Sequence, residues 1–215
     1  MQAERCHAIV LSKLAYGESD LVVSLFTLEH GRIRGFGKGA RASRKRFGGS
    51  LEPTNRLELV VTPKMEGLSR IERVEQTFCS PKLREQLESL ALALYACELV
   101  DSMTPEGHPL PRLYRLLTAL LEHVAQTSGT VVDRRFFEIN LLNILGYRPL
   151  LDTPVLKALQ QCLHTGSFGK ACFTDTELDA ATRLLDREIT GHCVYPLKSR
   201  AFLDDVSRRE GDTHA

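Results

Sequence analysis

The spacing of apolar residues changes at Ser80-Pro81, and that change divides the chain into two kinds of structure. Before it, short runs rich in Val, Ile, Leu and Phe are punctuated by Gly, Asp, Asn and Pro, the pattern of half-buried strands. Residues 6–14, 21–28, 31–38, 56–62 and 68–78 are five such runs. Residues 16–20 and 29–31 carry turn chemistry between them. The last run alternates poorly, which predicts a bulge. Five short strands, with a long loop between the third and fourth, predict a small closed barrel. An OB-fold fits best, because closure removes the edges that short strands would leave exposed.

After Ser80-Pro81 the apolar residues recur every three or four positions. A cap residue followed by proline opens a helix. Leu83, Leu87, Leu90, Leu94 and Cys97 form one helical stripe, running to about residue 101. Leu113, Leu116, Leu117, Leu120, Leu121 and Val124 form a second. Residues 133–145 are apolar almost all round, which predicts a central helix ended by Gly146. Further helices are predicted over 154–164, 175–190 and 199–208. The predicted fold class is therefore α+β and multidomain. A five-stranded OB-fold barrel occupies residues 1–79, and an all-α helical bundle occupies 80–215.

Charge is distributed unevenly. The chain as a whole is +1, yet residues 31–49 hold seven cations and no acid: Arg32, Arg34, Lys38, Arg41, Arg44, Lys45 and Arg46. Everything else therefore sums to −6. On an extended third strand, Arg32, Arg34, Phe36 and Lys38 share one face, and Ile33, Gly35 and Gly37 share the other. Cations with one aromatic suit a nucleic-acid strand, because cations meet phosphates and the ring offers a stacking surface. A bulge would instead turn Phe36 inward. Residues 39–49 read as a basic loop. The alternative for the whole stretch is a solvated charge run.

The six cysteines are scattered without a C-x-x-C pair and read as free thiols of a cytosolic chain. No apolar run approaches membrane-spanning length, so no membrane partner is expected. No phosphate-binding G-x-x-x-x-G-K-[ST] loop occurs. Ser, His and Asp lie without a nucleophile context, so no catalytic residues are expected and the chain does not read as an enzyme.

Several segments together carry a resemblance. They are Gly17-Glu18-Ser19-Asp20, Gly31-Arg32, Lys38-Gly39-Ala40-Arg41 and Leu51-Glu52-Pro53 in the first half. In the second they are Arg134-Arg135-Phe136-Phe137-Glu138, Leu145-Gly146-Tyr147 with Pro149, and Pro196-Leu197-Lys198-Ser199-Arg200. In this order the chain resembles the bacterial recombination mediator family RecO over nearly its full length. The resemblance implies an OB-fold followed by a helical domain, and a role in recombinational repair. That role comprises binding single- and double-stranded DNA, annealing complementary strands, and helping RecA load onto DNA coated by the single-strand-binding protein SSB. It implies RecR and the acidic C-terminal tail of SSB as partners, and a cytoplasmic, nucleoid-associated location. The competing readings are a protein-interaction adaptor and an RNA-binding OB module.

Placed on this sequence, DNA binding falls on Arg32, Arg34, Phe36, Lys38, Arg41, Arg44, Lys45 and Arg46. The SSB tail needs cations beside an apolar groove. Arg134 and Arg135, at the start of the most apolar helix, are one candidate pair, and Lys198 and Arg200 are another. Ordinary surface ion pairs are the alternative for both. Many family members carry a four-cysteine zinc module after the Leu145-Gly146-Tyr147 segment. Here residues 150–175 lack its C-x-x-C spacing, although Cys162, His164 and Cys172 remain, with His192 and Cys193 further on. No metal and no cofactor are expected.

Overall fold

A computed structural model describes residues 3–43, 47, 49–62, 64, 67–79 and 81–213, with the side chains of Lys82 and 207–213 excepted. It divides into two compact units: Met1–Pro81 with Cys97–Tyr114, and Lys82–Ala96 with Arg115–Ala215.

The first unit contains β1 (Glu4–Tyr16), β2 (Asp20–Thr27), β3 (Gly31–Gly37), β4 (Arg56–Thr62) and β5 (Ser69–Phe78). They close in the order β1-β2-β3-β5-β4, with β4 returning to β1. Only β3 and β5 run parallel, with Gly35 opposite Ser69 and Phe36 opposite Arg70. Closure leaves no free edge along the ring. The interior is filled by Val23, Leu25, Ile33, Leu57, Leu59, Val61 and Ile71, with Cys6, Ala8 and Val10 from β1.

The expected irregularity of the last strand is present, as register shifts of β5 against β4 at Arg56/Leu57 and Val60/Val61. A second one was not anticipated. Between Val10 and Ser12, β1 slips by one residue against β2. A single inserted residue exchanges the two faces of a strand. Even-numbered Cys6, Ala8 and Val10 point inward before the slip, and Ser12, Leu14 and Tyr16 are exposed after it.

Gly31 opens β3 at φ +69°, and a Cβ there would stand 2.0 Å from the His108 carbonyl oxygen. Only glycine allows the 106–108 segment to lie this close, where Gly107 N–H donates to Arg32 O at 2.9 Å.

From Pro81 on the chain is helical, and its 97–114 segment belongs to the first unit. α1 (Pro81–Glu85) and α2 (Leu87–Met103) replace the single helix predicted there. The chain leaves helical geometry at Gln86, whose carbonyl oxygen accepts the Leu90 N–H at 3.0 Å as α2 begins. α3 is Pro111–Val124, and α4 is Val131–Leu145. A 3-10 turn, Pro154–Leu156, leads into α5 (Lys157–His164), followed by α6 (Asp175–His192) and α7 (Lys198–Thr213).

α4 is the buried helix, contributing Phe136, Phe137, Ile139, Leu141 and Leu142. Its start is set by a capping box, in which Thr130 Oγ1 accepts the Asp133 N–H and Asp133 Oδ2 accepts the Thr130 N–H, both at 3.1 Å. It ends at Gly146, φ 83°, in the left-handed conformation. Leu159 of α5 and Leu185 and Ile189 of α6 are buried with it in the second unit. Among the described residues, no helix is long and apolar enough to cross a membrane.

Candidate nucleic-acid interface

β3 alternates as its sequence demands. Ile33, Gly35 and Gly37 are buried, while Arg34 and Lys38 are exposed and Phe36 is half-buried. Phe36 therefore stands on the outer face with the cations. Cross-strand register extends that face on both sides. Leu14 lies opposite Val22, and Val22 opposite Phe36. Arg70 of β5 lies opposite Phe36 on its other side and is exposed. The parallel β3–β5 pairing brings Arg70 here from far along the chain, so no local pattern announces it. Glu72, two residues further along β5, has its Oε1 occupied by the Thr62 hydroxyl at 2.9 Å.

The cations of this outer face, Arg32, Arg34 and Lys38 from β3 and its end and Arg70 from β5, are not equivalent. Arg32 has its Nη1 3.4 Å from both Asp101 Oδ1 and Glu106 Oε1. Its Nε donates to Thr104 O at 2.8 Å. Asp101 in turn accepts from Ser24 Oγ at 2.7 Å and Ser12 Oγ at 2.9 Å. Arg32 thus fastens the barrel wall to the Cys97–Tyr114 segment of the same unit, and its charge is balanced there. Among the described residues, the side chains of Arg34, Lys38 and Arg70 have no ion-pair partner.

Arg41 has a third role. Its Nη1 donates to the Glu18 carbonyl at 3.1 Å and the Gly17 carbonyl at 3.3 Å. Gly39 N–H donates to Asp20 Oδ1 at 2.7 Å, and Arg41 N–H to Ser19 O at 2.9 Å. The start of the basic loop is therefore tied to the β1–β2 turn. Its far end is pinned by Phe47 and Leu51, both within the barrel core. These carbonyl oxygens are dipoles rather than anions, and among the described residues Arg41 has no ion-pair partner. Arg44, Lys45 and Arg46 lie outside the described residues.

Tyr16, which the sequence placed in a turn, ends β1 on this outer face. Its ring lies 6.0 Å from that of Phe36 at 84°, an edge-to-face pair. The signal for it is absent from alternation counted from Cys6, because the slip at Val10/Ser12 reverses the faces.

The second unit corrects one expectation about accessibility. Arg134 and Arg135 do not stand open at the start of α4, since only 7% and 3% of their side chains are exposed. Both bind the wholly buried Glu138, with Arg134 Nε to Oε1 at 2.9 Å and Arg135 Nη1 to Oε2 at 2.6 Å. Arg134 also reaches Asp204 at 2.8 Å, and Arg135 reaches Asp186 at 3.1 Å. α4 is buried on nearly every side, so charges at its first turn must be paired inside the unit.

Arg200 Nη2 meets Asp186 Oδ2 at 2.8 Å and is partly exposed. It borders a cleft of about 340 Å³ that is also lined by Ile189, Val194, Tyr195, Pro196 and Leu197. Lys198 opens α7 beside that cleft's Leu197.

Cys162 is buried, and burial pushes its thiol up to about 11. Cys172 is exposed, and the His192 ring stacks on Tyr147 at 4.1 Å. Among the described residues, no three His, Cys, Asp or Glu side chains converge as a metal-binding set.

Residues 1–78 match the family model for the N terminal of Recombination protein O, ending where β5 ends. Residues 84–156 match the model for the C terminal of Recombination protein O. DNA repair protein RecO of Pelobacter propionicus is 44% identical over 242 residues, covering 96% of this chain and 98% of the relative. The protein of the same name from Geobacter sulfurreducens is 42% identical, covering 96% and 100%. That of Geobacter metallireducens is 39% identical, covering 96% and 99%. With a closed five-stranded barrel, a helical unit and both family models in sequence order, this chain belongs to the RecO family of DNA repair proteins.

Proposed function

We propose that this chain is a recombination mediator that acts by binding and aligning DNA strands, without a covalent step. The observation that carries the reading is the outer face shared by β3 and β5, where Arg34, Lys38 and Arg70 have no carboxylate partner among the described residues while neighbouring Arg32 is neutralised. Cations on a barrel wall lower the repulsion between two phosphate backbones, which is what annealing of complementary strands needs. Arg41 follows these cations in the chain, and Arg44, Lys45 and Arg46, outside the described residues, add three more to the same basic stretch of sequence. On this reading residues 1–79 hold single- and double-stranded DNA, and residues 80–215 meet protein partners.

Those partners, on family grounds, are RecR and the SSB tail, with RecA loaded onto the strand as the outcome in the cytoplasm. For an acidic tail ending in an apolar residue, the cleft bordered by Arg200 and lined by Val194, Tyr195 and Leu197 offers a cation beside apolar surface. Arg134 and Arg135 contribute to the frame behind Arg200 through the shared Asp186 and Asp204.

The test is annealing of complementary oligonucleotides coated with SSB. Arg34→Ala with Lys38→Ala slows annealing relative to the unaltered chain. Equal rates would remove this face from the reaction.

A further inference from the structure

The outer face of the barrel carries apolar groups that its fold does not need. Leu14 is 65% exposed and Tyr16 58%, although both lie in a regular strand. They reach the surface because of the slip between Val10 and Ser12, without which even-numbered residues of β1 would continue inward. Tyr16 and Phe36 meet edge to face, 6.0 Å apart at 84°. This holds both rings in a corner and leaves the more exposed ring, Tyr16, with an open face. Arg34 and Lys38 stand two residues either side of Phe36, and Arg70 lies opposite it. An aromatic corner beside cations that have no ion-pair partner among the described residues matches a group that is flat and apolar on its faces and anionic at its edge, which describes a nucleotide.

We propose that the Tyr16–Phe36 corner receives one unpaired base of single-stranded DNA and makes the barrel favour single strands over duplex. The inference rests on the reading that this face binds DNA. In a duplex the base faces are covered by their neighbours, so only an unpaired base can lie on Tyr16. Phosphate contacts from Arg34, Lys38 and Arg70 serve both forms, and the ring serves one.

The experiment measures affinity of the full chain for a short single-stranded oligonucleotide and for its duplex across a range of salt. Stacking on one ring is worth roughly a 5- to 150-fold change in affinity. Tyr16→Ala weakens single-strand binding by that order, leaves duplex binding within about twofold, and leaves the salt slope unchanged, because no phosphate contact is lost. Tyr16→Phe restores single-strand binding. The chain has no tryptophan, so Tyr16→Trp places a single reporter whose fluorescence is quenched by the single strand and not by the duplex. Unchanged single-strand affinity for Tyr16→Ala, or quenching by both forms alike, overturns the proposal. Arg34→Glu with Lys38→Glu separates it from the reading beneath. If charge reversal weakens both forms while Tyr16→Ala does nothing, only the stacking site fails. If charge reversal changes neither affinity nor slope, the face is not a DNA site at all and the stacking inference falls with it.

Discussion

The Tyr95 hydroxyl donates a 2.6 Å hydrogen bond to Glu138 Oε1, and both side chains are buried. Burial alone would raise the Glu138 carboxyl. The guanidiniums of Arg135 and Arg134, with hydrogen bonds from Tyr95 and Arg134, outweigh it and hold the group below the usual carboxylate range. The Tyr95 hydroxyl is pushed up by burial and by the Glu138 charge, so it stays a donor. α2, α4, α6 and α7 of the helical unit are joined through this one carboxylate and its two arginines.

Replacing Glu138 with Gln should therefore leave two buried guanidiniums short of their main anion. A loss of about 3–5 kcal/mol is expected, measured by denaturant unfolding at neutral pH. The pH dependence has a definite sign. A carboxyl lowered on folding contributes stability above its ordinary range, and that contribution is lost as pH falls through the lower folded-state value. E138Q should accordingly show a shallower acid-side decline than the unaltered chain. Parallel declines would mean that Glu138 does not carry it.

Tyr95→Phe keeps the ring that lies under the Arg134 guanidinium, 4.7 Å from its centroid, and removes only the hydroxyl. Loss of a hydrogen bond to a charged acceptor is worth about 1.5–3 kcal/mol. Denaturant midpoints of the two proteins give the comparison, and a difference near zero would show that the hydroxyl is dispensable.

Arg32 and Arg34 share a strand face two residues apart but should separate cleanly in experiment. Arg32→Ala breaks contacts to Asp101, Glu106 and the Thr104 carbonyl. It should lower the melting temperature with little change in the salt slope of single-strand binding. Arg34→Ala should do the reverse, flattening the slope by about 0.7 for one lost phosphate contact. The same effect from both changes would contradict the division of roles.

Gly31→Ala adds a methyl group against the His108 carbonyl, at a φ that L residues rarely adopt. A destabilisation of about 1–3 kcal/mol or more is expected from strain alone. Unfolding of the variant by denaturant, read against Gly39→Ala with its open surroundings, isolates the clash from the φ cost.

Replacing Arg44, Lys45 and Arg46 together with Ala should flatten the single-strand salt slope by about 2, three phosphates at about 0.7 each. An unchanged slope would confine the DNA path to the β3 face.

The order of a five-stranded barrel followed by helices was legible because it rests on local periods. The five strand segments alternate, the helical segments carry stripes at three- and four-residue spacing, and Gly146 stops α4 where a left-handed residue is required. The break at Gln86 was not legible, because the apolar stripe runs through it without a Gly or Pro. The basic face could likewise be read from the alternation of Arg32, Arg34, Phe36 and Lys38.

What each cation does is another matter, because charge compensation is decided by residues distant in the chain. The carboxylates of Asp101 and Glu106 neutralise Arg32, while Arg34 has no ion-pair partner among the described residues. Arg134 and Arg135 look like a helix-start anion site until Glu138, Asp186 and Asp204 close around them. Tyr16 and Arg70 join Phe36 through a one-residue slip and a parallel strand pairing, neither of which leaves a mark in local composition. Sequence alone determined the elements, their order and where positive charge concentrates, since these depend on near neighbours. Tertiary structure decided which charges stay open and which rings meet, since both depend on register and burial across the whole fold.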